Sequence, residues 1–232
     1  MSYAHHIAKV KGIIYGQESL VAAKEIFGRV KQEMADIQMD PNLSGIGIAQ
    51  KQREAQARAG AELAKIMRTN KKVIDAELAA AEKSARAALA KPNAKPDADT
   101  QRDFDEKYCA LKTELVVFGN LKSAREMIDF MQSVSDPYLA RTILDEFATT
   151  GALLGKHIVD PTRLRTVYEN VKATAETDAK TQARQALAEI ESLRAVKPIN
   201  SMVTLGANSA LGEAVANAVM ADHEGYLQEH GE

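Results

Sequence analysis

The chain has 232 residues, 45% of them hydrophobic and 27% charged, with a formal net charge of -2 and a pI near 6.2. That balance suits a folded chain of one large or two small domains and argues against a dedicated nucleic-acid binder, which carries a strong basic excess. The single cysteine, Cys109, excludes an internal disulfide and points to a reducing compartment, and neither a secretory leader at Met1–His6 nor an apolar run of about 18 residues is present.

The apolar residues are mostly small. Alanine is the commonest residue, with five Phe, six Tyr and no Trp beside it. Alanine has the highest helix propensity and fills little volume, so thin, closely packed helices are expected, an all-α fold.

Ile7, Val10 and Ile14 start a helical pattern that Gly12 and Gly16 weaken, which predicts a break near Gly16. Leu20, Ala23, Phe27, Val30, Met34 and Ile37 then step by three and four along one helix stripe. Asp40-Pro41-Asn42-Leu43-Ser44-Gly45 supplies turn formers. From Ser44 to Lys91 no proline intervenes, and no glycine after Gly60, so one helix is predicted, roughly 70 Å long at about 1.5 Å per residue. Residues 1–91 are therefore expected to form a long antiparallel, coiled-coil-like helical hairpin. Its second helix outruns the first by several turns, and that far end must pack on residues 1–16, the C-terminal half or another subunit.

Lys91 to Thr100 holds two prolines and no large apolar side chain, which predicts a linker over 92–100. Residues 101–232 are expected to form a bundle of shorter helices, at 101–118, 121–134, 137–149, 161–196 and 209–229. Asp99 or Thr100 is the expected cap of the first. Asp136-Pro137 and Asp160-Pro161 both read as an N-cap followed by proline in the first helical position. The residues after them match at an offset of 24: Arg141-Thr142-Ile143 and Phe147 against Arg165-Thr166-Val167 and Val171. Two capped amphipathic helices account for this without a duplicated unit, since solenoid repeats are longer and come in threes or more.

Charge is laid out unevenly. Residues 41–91 carry ten basic against five acidic groups, while after Lys197 there are five acidic residues and no Lys or Arg. A basic middle and an acidic end attract each other, within one chain or between subunits. The long helix beyond about Lys71, with Lys71, Lys72, Leu78, Arg86 and Leu89, and the small-residue terminal helix, with Leu211, Val215 and Val219, are the candidate partner-binding surfaces.

Signals for chemistry are weak. Gly151-Ala152-Leu153-Leu154-Gly155-Lys156-His157 has three residues between its glycines where a phosphate loop needs four, and histidine where Ser or Thr must hold magnesium; it reads as a glycine-bounded helix end. His5, His6, His157, His223 and His230 show no ligand spacing, so no metal or other cofactor is expected. Cys109 reads as a buried small hydrophobe on an amphipathic helix. Glutamates are interleaved with Arg53, Arg58, Lys65, Arg68, Lys71 and Lys72 and no aromatic platform accompanies them, which argues against nucleic acid.

At residues 40–66, Leu43-Ser44, Gly47, Ala49, Lys51 and Glu54 open a long charged helix after a helical N-terminal arm. This pattern resembles helical virion-assembly proteins of tailed bacteriophages. The resemblance implies a structural or scaffolding role in capsid assembly, with the virion or the host cytoplasm as its place, and brings no catalytic or binding residues. Scaffolding proteins that grip a coat subunit often end in a basic helix, whereas this chain ends acidic. The expected function is thus a non-enzymatic structural or assembly protein whose partners are its own copies and other virion proteins, with no membrane. Two other readings are a secreted helical effector or translocator, and a small helical enzyme with a site drawn from Asp129, Arg141, His157 and Tyr168.

Overall fold

The computed structural model describes residues 2–157 and 161–230. The described residues are helical, with no strand among them. In chain order the helices are α1 (Tyr3–Tyr15), α2 (Glu18–Met39), α3 (Gly45–Ala90), α4 (Ala98–Val117), α5 (Leu121–Ser133), α6 (Pro137–Leu154), α7 (Pro161–Ala175), α8 (Asp178–Arg194), α9 (Ser201–Leu211), α10 (Glu213–Ala221) and α11 (His223–His230). The N-terminal arm breaks at Gly16, where a Cβ would lie 2.0 Å from the Gly12 carbonyl oxygen.

By packing, the chain divides into Met1–Ala85 with Gln185–Glu232, and Arg86–Arg184. This differs from a division into 1–91 and 101–232 joined by a linker. Residues 185–232 belong with the N-terminal helices, and the extended segment after α3 lies inside the second unit. Asn93 explains the latter: its side-chain amide donates to the carbonyls of Pro137 at 2.8 Å and Ala175 at 3.0 Å.

In the first unit α2 and the first half of α3 meet antiparallel through Arg29–Glu62, Glu33–Arg58, and Gln52 donating to Gln38. Their shared core holds Phe27, Val30, Leu63 and Met67 together with Val203, Leu211 and Val219 from the C-terminal helices. Small residues set the spacing. A Cβ on Gly206 of α9 would stand 3.0 Å from the Phe27 ring, and one on Gly60 of α3 would stand 2.7 Å from a Val215 methyl and 2.8 Å from the Tyr226 hydroxyl. Tyr226 donates to the Ala57 carbonyl at 3.3 Å, and burial raises its pKa.

The far part of α3 is covered by the chain itself. The Glu77 carboxylate accepts from Lys9 and lies 2.6 Å from His6 Nδ1, and these bonds, Lys9 first, hold its pKa below the usual carboxylate value. Arg194 of α8 pairs with Glu82, and Asn70 donates to the Pro198 carbonyl at 3.0 Å. Asn200 caps α9 through Met202 N and also donates to the carbonyls of Tyr15 and Gly16, binding the start of α9 to the α1–α2 break.

The second unit is built on larger side chains: Phe104, Tyr108, Leu115, Met127, Ile128, Met131, Leu139, Ile143, Leu154, Val167 and Val171. The starts of α4 and α6 are capped by aspartates. Asp97, and not the expected Asp99 or Thr100, is the cap of α4: it accepts from Thr100 N, a bond that lowers its pKa. Asp136 accepts from Tyr138 N and Leu139 N with Pro137 in the first turn, as predicted; Asp160 lies outside the described residues. Gly155 ends α6, the helix end read from its glycines. Ile143 and Val167, matched at an offset of 24, are both fully buried between α6 and α7.

Two predicted helices are interrupted. The stretch 161–196 breaks at Glu176-Thr177, where the Thr177 carbonyl accepts from Lys180 N and Thr181 N to open α8. The stretch 209–229 breaks at Gly212, whose φ of 80° is left-handed, and at Asp222, whose carboxylate caps α11 through Gly225 N.

Candidate functional site

The most exposed apolar surface of the second unit is the corner where α4 meets α5. Leu115 is buried, but Val116, Val117 and Phe118 after it are 62%, 64% and 69% exposed, and Leu121 is 49% exposed. The helix buries one stripe, and residues about 100° and 200° further round from Leu115 leave that stripe. Together these side chains present on the order of 400 Å² of apolar surface, the size at which a patch on a monomer is often functional.

The corner is built to hold that shape. Gly119 has φ 39°, a left-handed conformation that disfavours a side chain, and a Cβ there would sit 3.2 Å from His157 Nε2. Asn120 then forms a full capping box: its side chain accepts from Lys122 N at 2.9 Å and Ser123 N at 3.0 Å, while Ser123 Oγ accepts from Asn120 N at 3.3 Å. Behind the turn, Tyr108 stacks on Phe104 and lies 3.4 Å from the Thr150 hydroxyl, with its pKa raised by burial. Lys112 donates to Glu146 at 2.6 Å, which raises the lysine's pKa. The rim is basic. Lys122, 86% exposed, makes only a loose 3.8 Å contact with Glu126, and Lys156, beside His157, has no ion-pair partner among the described residues.

A second apolar surface lies in the first unit. Met202 and Leu205, three residues apart on α9, are 58% and 71% exposed. The exposed charges of α9–α11 are Glu213, Asp222, Glu224 and Glu229.

Compared with known proteins, the chain matches no family model, no curated sequence and no solved structure.

The residues expected to bind partners fall differently. Leu78, Leu211 and Val219 are core residues covered by the chain's own helices, and Val215 packs against that core. Lys71 pairs with Asp75 at 3.0 Å, Lys72 and Arg86 are exposed, and Leu89 is half-buried. Of the polar set Asp129, Arg141, His157 and Tyr168, only Arg141 and Tyr168 come together, in a cleft of about 370 Å³ in the second unit. There Arg141 pairs with Asp145, and Tyr168 packs edge-on against Phe147. Asp129 faces Arg163 at 3.9 Å, and His157 lies against Gly119. Cys109 is exposed, not buried, because α4 turns its neighbour Tyr108 inward. Among the described residues no three His, Cys, Asp or Glu side chains are grouped to hold a metal ion, and no helix is long and apolar enough to cross a membrane.

The apolar corner was missed in the sequence although its signal was there. Val116-Val117-Phe118 is a run of three large apolar residues at a helix end, where a one-sided helix can bury only some of them.

Proposed function

We propose that this chain is a non-enzymatic structural or assembly protein that works in several copies through protein–protein contacts, in the setting of a tailed-phage particle. The observation that supports this reading most is the exposed Val116-Val117-Phe118-Leu121 corner on a capped, glycine-dependent turn. An exposed apolar surface on a capped turn fits a protein partner, because burying it is favourable at about 25 cal/mol per Å². The phage setting comes from the helix opening at residues 40–66, and it places the protein in the virion or in the host cytoplasm during assembly.

Sedimentation across concentration, with negative-stain microscopy of the chain mixed with capsid and tail components, tests the proposal. Concentration-dependent association or decoration of those components is the expected result. A compact monomer at every concentration that ignores all of them would overturn it.

A further inference from the structure

Three helices of the second unit each give a charged face to one cleft of about 370 Å³. α6 brings Arg141 and Asp145, α7 and the residue after it bring Tyr168, Lys172 and Glu176, and α8 brings Lys180 and Arg184. In each set the residues stand four apart, which keeps them on one side of their helix. The apolar part of the lining comes from Leu89 and Leu144, both half-buried, and from the buried Ala175. The volume falls within the range of small-molecule sites.

Four cations and two carboxylates line this cleft, and both carboxylates are taken. Asp145 pairs with Arg141 at 2.8 Å, and Glu176 pairs with Arg184. The two lysines are not matched in that way. Lys172 makes a loose 3.8 Å contact with Glu169 and stands 5.8 Å from the centre of the Tyr168 ring, while Lys180 has no ion-pair partner among the described residues. Asp178 lies two positions before Lys180 on α8, a spacing at which helix side chains do not face each other. With Glu169 counted, the cations still outnumber the carboxylates by four to three.

We propose that this cleft binds a small phosphate monoester with a ring-bearing body, a binding function separate from the assembly reading. A monoester carries close to two negative charges at neutral pH and three strong acceptor oxygens. Those charges match Lys172 and Lys180, where a single carboxylate would leave one lysine unanswered. The guanidinium groups of Arg141 and Arg184 add to this, because exposed ion pairs are weak and an arginine fork takes phosphate in a bidentate grip. The body of the ligand then rests on Leu89, Leu144 and the Tyr168 ring, which is 38% exposed and held edge-on by Phe147.

Calorimetric titration of the full chain with AMP, and with its halves adenosine and inorganic phosphate, tests the site at physiological salt. AMP should saturate one site per chain, inorganic phosphate should bind more weakly, and adenosine should not bind. K172Q with K180Q should weaken AMP about tenfold or more, since hydrogen bonds to charged groups are the strong ones. K24Q with K31Q removes the same charge from exposed positions on α2 and should leave AMP binding unchanged. Thermal melts without ligand confirm that both variants keep their fold. No saturable binding of AMP, or equal weakening by the two variant pairs, overturns the proposal, because the charge then acts only as a diffuse field. So does binding of a single-stranded oligonucleotide that depends on Lys172 and Lys180 and exceeds that of AMP, since the cleft then belongs to a nucleic-acid track. Each of these failures leaves the assembly reading to its own test by sedimentation and microscopy.

Discussion

Single residues decide how closely these helices approach, and two glycines in helix interiors illustrate it with opposite signs. Gly60 meets Val215 and Tyr226 across a gap too small for a methyl group. Gly60→Ala should gain about 1 kcal/mol of helix propensity but lose more to overpacking, for a net loss of about 1–2 kcal/mol in urea unfolding. Val215→Ala in the same chain should recover part of that loss; equal losses in the single and double variants would refute the steric explanation. Gly28 on α2 has nothing within 4 Å of an added Cβ, so Gly28→Ala should stabilise by about 0.5–1 kcal/mol. Glu77 adds a dependence on acidity. Its bonds to Lys9 and His6 depress its pKa in the folded chain, so its contribution is fully present above the ordinary carboxylate value of 4.5 and is lost as pH falls through the folded value. Melting temperatures of the native chain and Glu77→Gln should differ at pH 6 and converge as pH drops below 4.5.

Elements differ in how far the sequence foretold them. The long helix was legible because Ser44 to Lys91 has strong helix formers, no internal proline and a steady apolar stripe, and α3 spans Gly45–Ala90. The turn at Asp40–Gly45 and the Asp136-Pro137 cap were legible for the same local reasons. What covers the far half of α3 was not legible. The sequence left three candidates open, and His6, Lys9 and Arg194 answer from α1 and α8 through side-chain bonds across 71, 68 and 112 residues. The breaks at Glu176-Thr177 and Gly212 were hidden because the apolar period continues through them. Asn200 shows how much one missed cap carries: it starts α9 and bonds two carbonyls at the α1–α2 break. Asn200→Ala should cost about 1–2 kcal/mol, read as a lower denaturation midpoint, whereas Asn200→Asp, which keeps the cap and loses the two donated bonds, should fall between. Of the candidate site, the sequence shows only the helix ends, in the predicted helices 101–118 and 121–134 and in the glycine-bounded end at Gly151–His157. Leu78, Leu211 and Val219 were assigned to a partner because a small-residue stripe looks the same whether its cover comes from the same chain or another.

For the molecule as a whole, the first unit is assembled from two distant pieces of chain. Phe27, Leu63 and Met67 share one core with Val203, Leu211 and Val219. Removing residues 198–230 should therefore strip the cover from α2 and α3, seen as loss of hydrogen-exchange protection there, while amides in α5 and α6 keep theirs. Uniform loss across both units would show that the second core cannot stand without the first. The same discontinuity has a consequence in time. At roughly 5–20 residues per second, the ribosome releases α2 on the order of ten seconds before α9–α11 exist to cover it. Arg86–Arg184 is a continuous stretch, and it can close before the unit whose synthesis began first. During that interval the α2–α3 stripe is open to chaperones and to neighbouring nascent chains, so slowing translation near residue 185 should raise aggregation of this protein more than slowing it near residue 85.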